Sequence, residues 1–178
     1  MTAAALLLPT LFALATPSVS DTSHGRWGAG RTQADLCASR KPSAAIEAFV
    51  VLPPVRAQGA RVVRGDTVVT AAVCVVPPKS SATKIGSYHG ELYFDSTAAR
   101  VLRVEKLGGG LRVENTTLAG RVNFAGASPS GFAARSLLNV VLRVKKPGAR
   151  PKLELKMLEL NAIDGTSLMN RLVIAPTP

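Results

Sequence analysis

The side chains able to do chemistry are few and scattered. Histidine occurs twice, as His24 in a polar stretch and His89 in a strand-like one, and cysteine twice, as Cys37 and Cys74. No cysteine pair has metal-ligand spacing. Catalysis requires titrating or nucleophilic groups that converge, and nothing in the spacing of these residues brings them together. Glu91 and Asp95 share one face of an extended chain, because alternate strand residues point the same way; exposed, solvated charge accounts for them. Gly108-Gly109-Gly110 leads into a strand rather than a helix, so it reads as a turn and not as a phosphate loop. Asp66, Asp95 and Asp164 each offer an oxygen to a cation, but none has an acidic cluster beside it, and turn formation explains all three. The reading is therefore of a non-enzyme with no cofactor and no metal site.

Two short motifs remain. Arg64-Gly65-Asp66 spells an adhesion tripeptide, which a Gly-Asp turn between strands explains fully. Asn115-Thr116-Thr117 is an N-glycosylation sequon, relevant wherever the host glycosylates.

Side chains suited to recognition are easier to find. Tyr93, Arg121, Asn123 and Arg143 alternate with apolar Leu92, Val122, Phe124 and Leu142, so they point outward if the apolar set forms a core. Tyr supplies rigid apolar area and Arg several planar donors, the chemistry of partner anchors. His89, Glu91 and Asn139 share that outward phase. Such a set makes either a binding patch, if the strands are neighbours, or an ordinary solvated face. Sugar rings stack on aromatic rings, and the candidates for that are Tyr88, Tyr93 and Trp27, with Tyr88 in the core phase.

The elements that must position these residues are strands. Residues 85–94 alternate strictly, with Tyr88, Gly90, Leu92 and Phe94 on one side and His89, Glu91 and Tyr93 on the other. A period of two marks a strand with one buried face. Asp95 and Ser96 turn the chain through side-chain oxygens, and 101–105 forms the next strand. Residues 67–76 are apolar on both faces, as in a central strand. Residues 44–52 fit a short helix capped by Ser43 or a first strand, and Phe49-Val50-Val51 favours the strand. Further strands are expected at 111–114, 121–125, 138–144, 153–160 and 172–175. Turns are expected at 127–131 and at Asp164-Gly165. In 153–160 the apolar phase switches between Met157 and Leu158, which predicts a bulge. Eight or nine strands without convincing helices make an all-β sandwich.

Composition agrees. Hydrophobic residues are 47% of the 178 and aromatics 4%, and the apolar content is carried by Ala, Val and Leu. The formal net charge is +11, which favours anionic partners such as an acidic protein. The basic residues are dispersed without aromatic interleaving, which argues against a nucleic-acid site.

Residues 1–20 read as a secretory signal. The run to Ala15 is apolar but too short to span a bilayer, which takes about 20 residues, and small residues suit cleavage after Ala15 or Ser20. No later run is long enough to span a membrane, so the expected location is secreted, extracellular or in the cell envelope. In an oxidising compartment Cys37 and Cys74 can pair and pin the segment before the domain to the sandwich; alternatively Cys74 packs as a small hydrophobe. Residues 21–44 form a polar, loosely ordered lead-in, and 45–176 the domain.

The ordered motifs of that domain resemble the cohesin family of bacterial cellulosomes and its non-cellulosomal relatives. They are Arg64-Gly65-Asp66-Thr67-Val68-Val69-Thr70, then Glu91-Leu92-Tyr93-Phe94-Asp95, then Val101-Leu102-Arg103-Val104 with Gly108. Gly120-Arg121-Val122-Asn123-Phe124-Ala125-Gly126-Ala127, the strand 137–144 and the turn Asp164-Gly165 follow. The resemblance spans roughly 48–174. It implies a nine-stranded jelly roll that binds a protein module, the dockerin, through one flat sheet face. A carbohydrate-binding module of the same shape, acting on polysaccharide, is the alternative.

Overall fold

Val, Ile, Leu and aromatic residues at alternate positions can satisfy their backbone and bury one face only by pairing into sheets. The computed structural model describes residues 37, 41, 43–52, 62–63, 66–78, 83–106, 109–132, 135–146 and 149–176. Among these residues ten strands form: β1 (Ile46–Val51), β2 (Val62–Val63), β3 (Asp66–Val76), β4 (Ile85–Phe94), β5 (Ala99–Lys106), β6 (Leu111–Asn115), β7 (Arg121–Phe132), β8 (Ser136–Val144), β9 (Leu153–Ala162) and β10 (Leu172–Ile174). A single 3-10 turn, Met169–Arg171, leads into β10. The expected all-β jelly-roll sandwich is present, and 44–52 contributes a strand rather than a helix.

One sheet runs β10-β1-β3-β8-β5, with β2 paired to β3; the other runs β6-β7-β4-β9. Pairing is antiparallel except between β1 and β10. The inner faces meet in one core that includes Val69, Val73, Tyr88, Leu92, Val122, Phe124, Val140, Leu142, Leu155 and Leu160. Each large aliphatic side chain so buried contributes about 1.5–3 kcal/mol.

Two glycines set the spacing of this core. Tyr88 pairs across the β4–β7 ladder with Gly126, and Gly90 with Phe124. A Cβ at Gly126 would lie 2.6 Å from the Tyr88 ring, and one at Gly90 2.6 Å from the Phe124 ring. Each glycine therefore gives up its side-chain volume to the aromatic ring opposite. Phe132 completes the cluster, 5.0 Å from Tyr88 between centroids. Arg112 enters the same end from β6. It is buried, lies 4.9 Å over the Phe132 ring, and donates to the Leu137 carbonyl of the opposite sheet. Tyr88 Oη donates to that carbonyl too, at 3.5 Å. Burial raises the Tyr88 pKa, and the Arg112 charge partly offsets the rise.

Two local expectations change and a third holds. Residues 127–131 do not reverse the chain. β7 runs through them to Phe132, and the turn formers make a wide bulge between the Ser87–Ala127 and Ile85–Phe132 pairs. There Ser128 Oγ donates to the Gly131 carbonyl and Gly131 adopts φ 79°. β8 is not half-exposed, since Asn139 is 0% and Val141 1% accessible. The phase switch in β9 does produce its bulge: Met157 pairs with Gly90 and Glu159 with His89, leaving Leu158 as the extra residue.

A second apolar layer lies on the far side of the six-stranded sheet, where Phe49, Ala72, Cys74, Val76 and Ala175 pack with Cys37. Cys37 and Cys74 form a disulfide there, S–S 2.02 Å. The signal-like segment 1–20, most of the lead-in with His24 and Trp27, Arg64-Gly65 and Gly108 lie outside the described residues.

Candidate functional site

A sandwich buries its two inner faces, so recognition falls to outer faces or loops. The outer face of the six-stranded sheet is covered over β1, the C-terminal half of β3 and the middle of β8, where Phe49, Asn139, Val141 and the disulfide-bonded Cys74 are buried, and it is exposed toward β5, where Arg100 and Arg103 flank the half-buried Arg143. The outer face of β6-β7-β4-β9 is open.

Registers place its side chains in four rows, written from β6 to β9. The first holds Leu111, Ala127, Ser87 and Asn161. The second holds Val113, Ala125, His89 and Glu159. The third holds Asn115, Asn123, Glu91 and Lys156. Arg121, Tyr93 and Glu154 form the last, beyond the end of β6. The face is apolar along β6 and β7, where Leu111 and Val113 are 72% and 58% exposed beside two alanines. It is polar along β4 and β9.

A hydrogen-bonded group occupies the polar half. Glu91 is only 9% exposed, although it points away from the core, because its neighbours close over it. Tyr93 Oη donates to its Oε2, and Arg121 Nη1 donates to its Oε1 at 3.2 Å, an ion pair. A carboxylate with both oxygens engaged is held in one rotamer, so the tyrosine ring and the guanidinium are positioned before any partner arrives. At the β9 edge, Glu159 Oε1 accepts from Asn161 Nδ2 at 2.6 Å and from Ser87 Oγ at 3.4 Å.

The structure brings together Tyr93, Arg121 and Asn123, three of the four residues expected to form a patch. It separates Arg143, which lies on β8 in the other sheet, opposite Arg100 on β5 and Val68 on β3. Asn139, of the same phase, is enclosed. Alternation states which side of a strand a residue occupies, not which sheet the strand joins. Leu111, Val113, Glu154 and Glu159 belong to the face and were not singled out from sequence. The available signal was in β6, where the charged Arg112 takes the inward phase and the apolar residues flanking it the outward one.

The isolated carboxylates are turn makers. Asp95 Oδ1 accepts from Thr97 N and Oγ1 at 2.8 and 2.7 Å, and Asp164 Oδ1 from Thr166 N at 3.0 Å. These hydrogen bonds hold both carboxyl pKa values below the usual range. Among the described residues no three of His, Cys, Asp and Glu converge as metal ligands. A cleft of about 240 Å³ opens beside the Asp164 turn, lined by Lys84, Thr166, Leu168 and Arg171, with no aromatic ring for a sugar to stack on. Tyr93 is the one aromatic residue on the open face among the described residues. No helix among them is long and apolar enough to cross a membrane.

These features define a jelly-roll sandwich with one outer face largely covered and the other open, and among the solved structures that it resembles are cohesins. The chain matches the OlpC cohesin of a type I cohesin–dockerin complex from Clostridium thermocellum with a TM-score of 0.52, at 13% identity over 76% of this chain and 92% of that one. It matches the OlpA cohesin of a second such complex from that organism at 0.51, with 13% identity over 74% and 99%. The CaCohA2 cohesin of Clostridium acetobutylicum matches at 0.50, with 12% identity over 74% and 86%. No family model matches the sequence, and no curated protein matches it. At these identities the likeness is one of fold: the chain carries a cohesin-like domain.

Proposed function

We propose that this chain is an exported, non-catalytic binding module, and that its partner is a dockerin-like protein module seated on the outer face of the β6-β7-β4-β9 sheet. One observation carries the reading: of the two outer faces, one is largely covered by a second apolar layer and the other is open across all four strands, partly apolar and preorganised around Glu91. Two of the matched cohesins were solved in complexes with dockerins, which supports a protein partner. The Cys37–Cys74 bridge supports an oxidising compartment and with it the reading of 1–20 as a leader. On this proposal Tyr93, Arg121 and Asn123 remain partner contacts, while Arg143 does not.

The polysaccharide alternative fares less well, because sugar platforms use several exposed rings and this face has Tyr93. Titrating the full chain against purified dockerin modules and against a set of polysaccharides separates the two. The expected result is binding of at least one dockerin module at about micromolar Kd or tighter, with no polysaccharide bound. Polysaccharide binding that Tyr93→Ala abolishes would contradict the proposal.

A further inference from the structure

The open face does not share the charge of the molecule that bears it. It holds three of the chain's eleven carboxylates, Glu91, Glu154 and Glu159, and two of its 22 lysines and arginines, Arg121 and Lys156. Its formal charge is therefore −1, against +12 for the rest of the chain. Within the face, Glu91 is already satisfied by Arg121 and Tyr93, and Lys156 sits directly across from it in the third row. The two carboxylates left over, Glu154 and Glu159, stand exposed along the β9 edge. Glu159 has Oε1 engaged by Asn161 and Ser87, while its Oε2 takes no hydrogen bond among the described residues. Its carboxylate is held at one oxygen and leaves the other open to a partner.

The opposite edge is apolar. Leu111 and Val113 on β6 are exposed beside Ala125 and Ala127 on β7. From β6 to β9 there are three strand spacings, about 14 Å. We infer that the partner's docking surface pairs an apolar patch, set against Leu111 and Val113, with one or more lysines or arginines about 14 Å away, set against Glu154 and Glu159. On a helix laid across the strands that separation is roughly nine to ten residues, at about 1.5 Å each. This assignment rests on the reading of the face as a docking surface and adds the sign of the charge it selects. That sign is opposite to the one expected from net charge alone. The excess of +12 is spread over the rest of the molecule, and at physiological ionic strength charges are screened beyond about 8 Å. It therefore acts on encounter, while the local carboxylates act on the contact.

The test uses a displayed library of helical-bundle scaffolds randomised on one face, selected on the full chain at physiological salt. Counter-selection on Leu111→Glu/Val113→Glu keeps binders of the open face alone, and melting curves of every variant confirm that it is folded. The retained binders are expected to be enriched in lysine and arginine, and to lose at least tenfold in affinity on Glu154→Lys/Glu159→Lys. Lys145→Ala, away from the face, should leave their affinity within about twofold. Retained binders enriched in aspartate and glutamate, or unaffected by the charge reversal, would overturn the inference while leaving the face a docking surface. If counter-selection leaves no binders, the docking surface itself is refuted and the inference falls with it.

Discussion

At the scale of single residues, this domain depends on small groups placed against large ones. Gly126 is the clearest case, because the Tyr88 ring occupies the volume where a side chain would begin. Gly126→Ala forces that ring, and with it Phe132, to move. Overpacking of this kind costs about 1–3 kcal/mol. Chemical denaturation should show a loss in that range, whereas Gly109→Ala, with open space around it, should be within about 0.5 kcal/mol of wild type. The turn aspartates give a second residue-scale expectation. Hydrogen bonds from Thr97 and Thr166 lower the pKa of Asp95 and Asp164 in the folded state. A depressed folded pKa means stability that is fully present above the unfolded value of about 3.9 and lost as pH falls through the folded value. Asp95→Asn/Asp164→Asn removes both titrations and keeps an acceptor at each site. The fall in Tm of wild type between pH 5 and pH 2.5 should be shallower in this variant, and identical acid limbs would contradict the assignment.

At the scale of elements, β9 shows how a strand accommodates an extra residue. Leu153, Leu155, Met157 and Leu160 all face inward, which is possible because Leu158 is looped out as a bulge. Deleting Leu158 restores plain alternation with every apolar residue still inward, so the deleted chain should fold and melt cooperatively. Inserting one serine between Leu155 and Lys156 instead moves Leu153 and Leu155 to the solvent face and should prevent folding; circular dichroism and melting curves of the deletion and the insertion check both outcomes. This switch of phase was readable from the sequence because it is local, as was the alternation of β4 that sets Tyr93 opposite the core. What could not be read was set by long-range pairing. Arg143 and Asn139 have the outward phase of Arg121 and Asn123, yet β8 joins the other sheet, where Asn139 is enclosed and Arg143 sits half-buried beside Arg100. In β7 the turn-forming run Ser128-Pro129-Ser130-Gly131 bulges rather than reversing, because Phe132 still finds Ile85 across the ladder. The face was legible to the extent that its residues lie on β4 and β7. The share contributed by β6 and β9 depended on registers that no local pattern specifies.

For the whole molecule, the disulfide and the open face are two sides of one arrangement. Cys37 reaches Cys74 across 37 positions and lies within the apolar layer that covers much of the six-stranded sheet, which favours the four-stranded one for recognition. A bridge of this span contributes about 2–4 kcal/mol, so a reducing agent should lower Tm by roughly 5–15 °C for a chain of this size. Mass spectrometry of the non-reduced protein should find both cysteines protected from alkylation. The central claim is that the partner sits on the open face and not on the sheet that carries Arg143. Calorimetric titration of a bound dockerin module against wild type, Leu111→Glu/Val113→Glu and Arg143→Ala tests it directly. Losing two exposed apolar anchors of a contact costs about 2 kcal/mol or more where they are hot spots, so the double variant should bind roughly 30-fold more weakly or not at all, with its melting curve unchanged. Arg143→Ala should stay within about threefold of wild type. Undiminished binding by the double variant, or a loss confined to Arg143→Ala, would contradict the account.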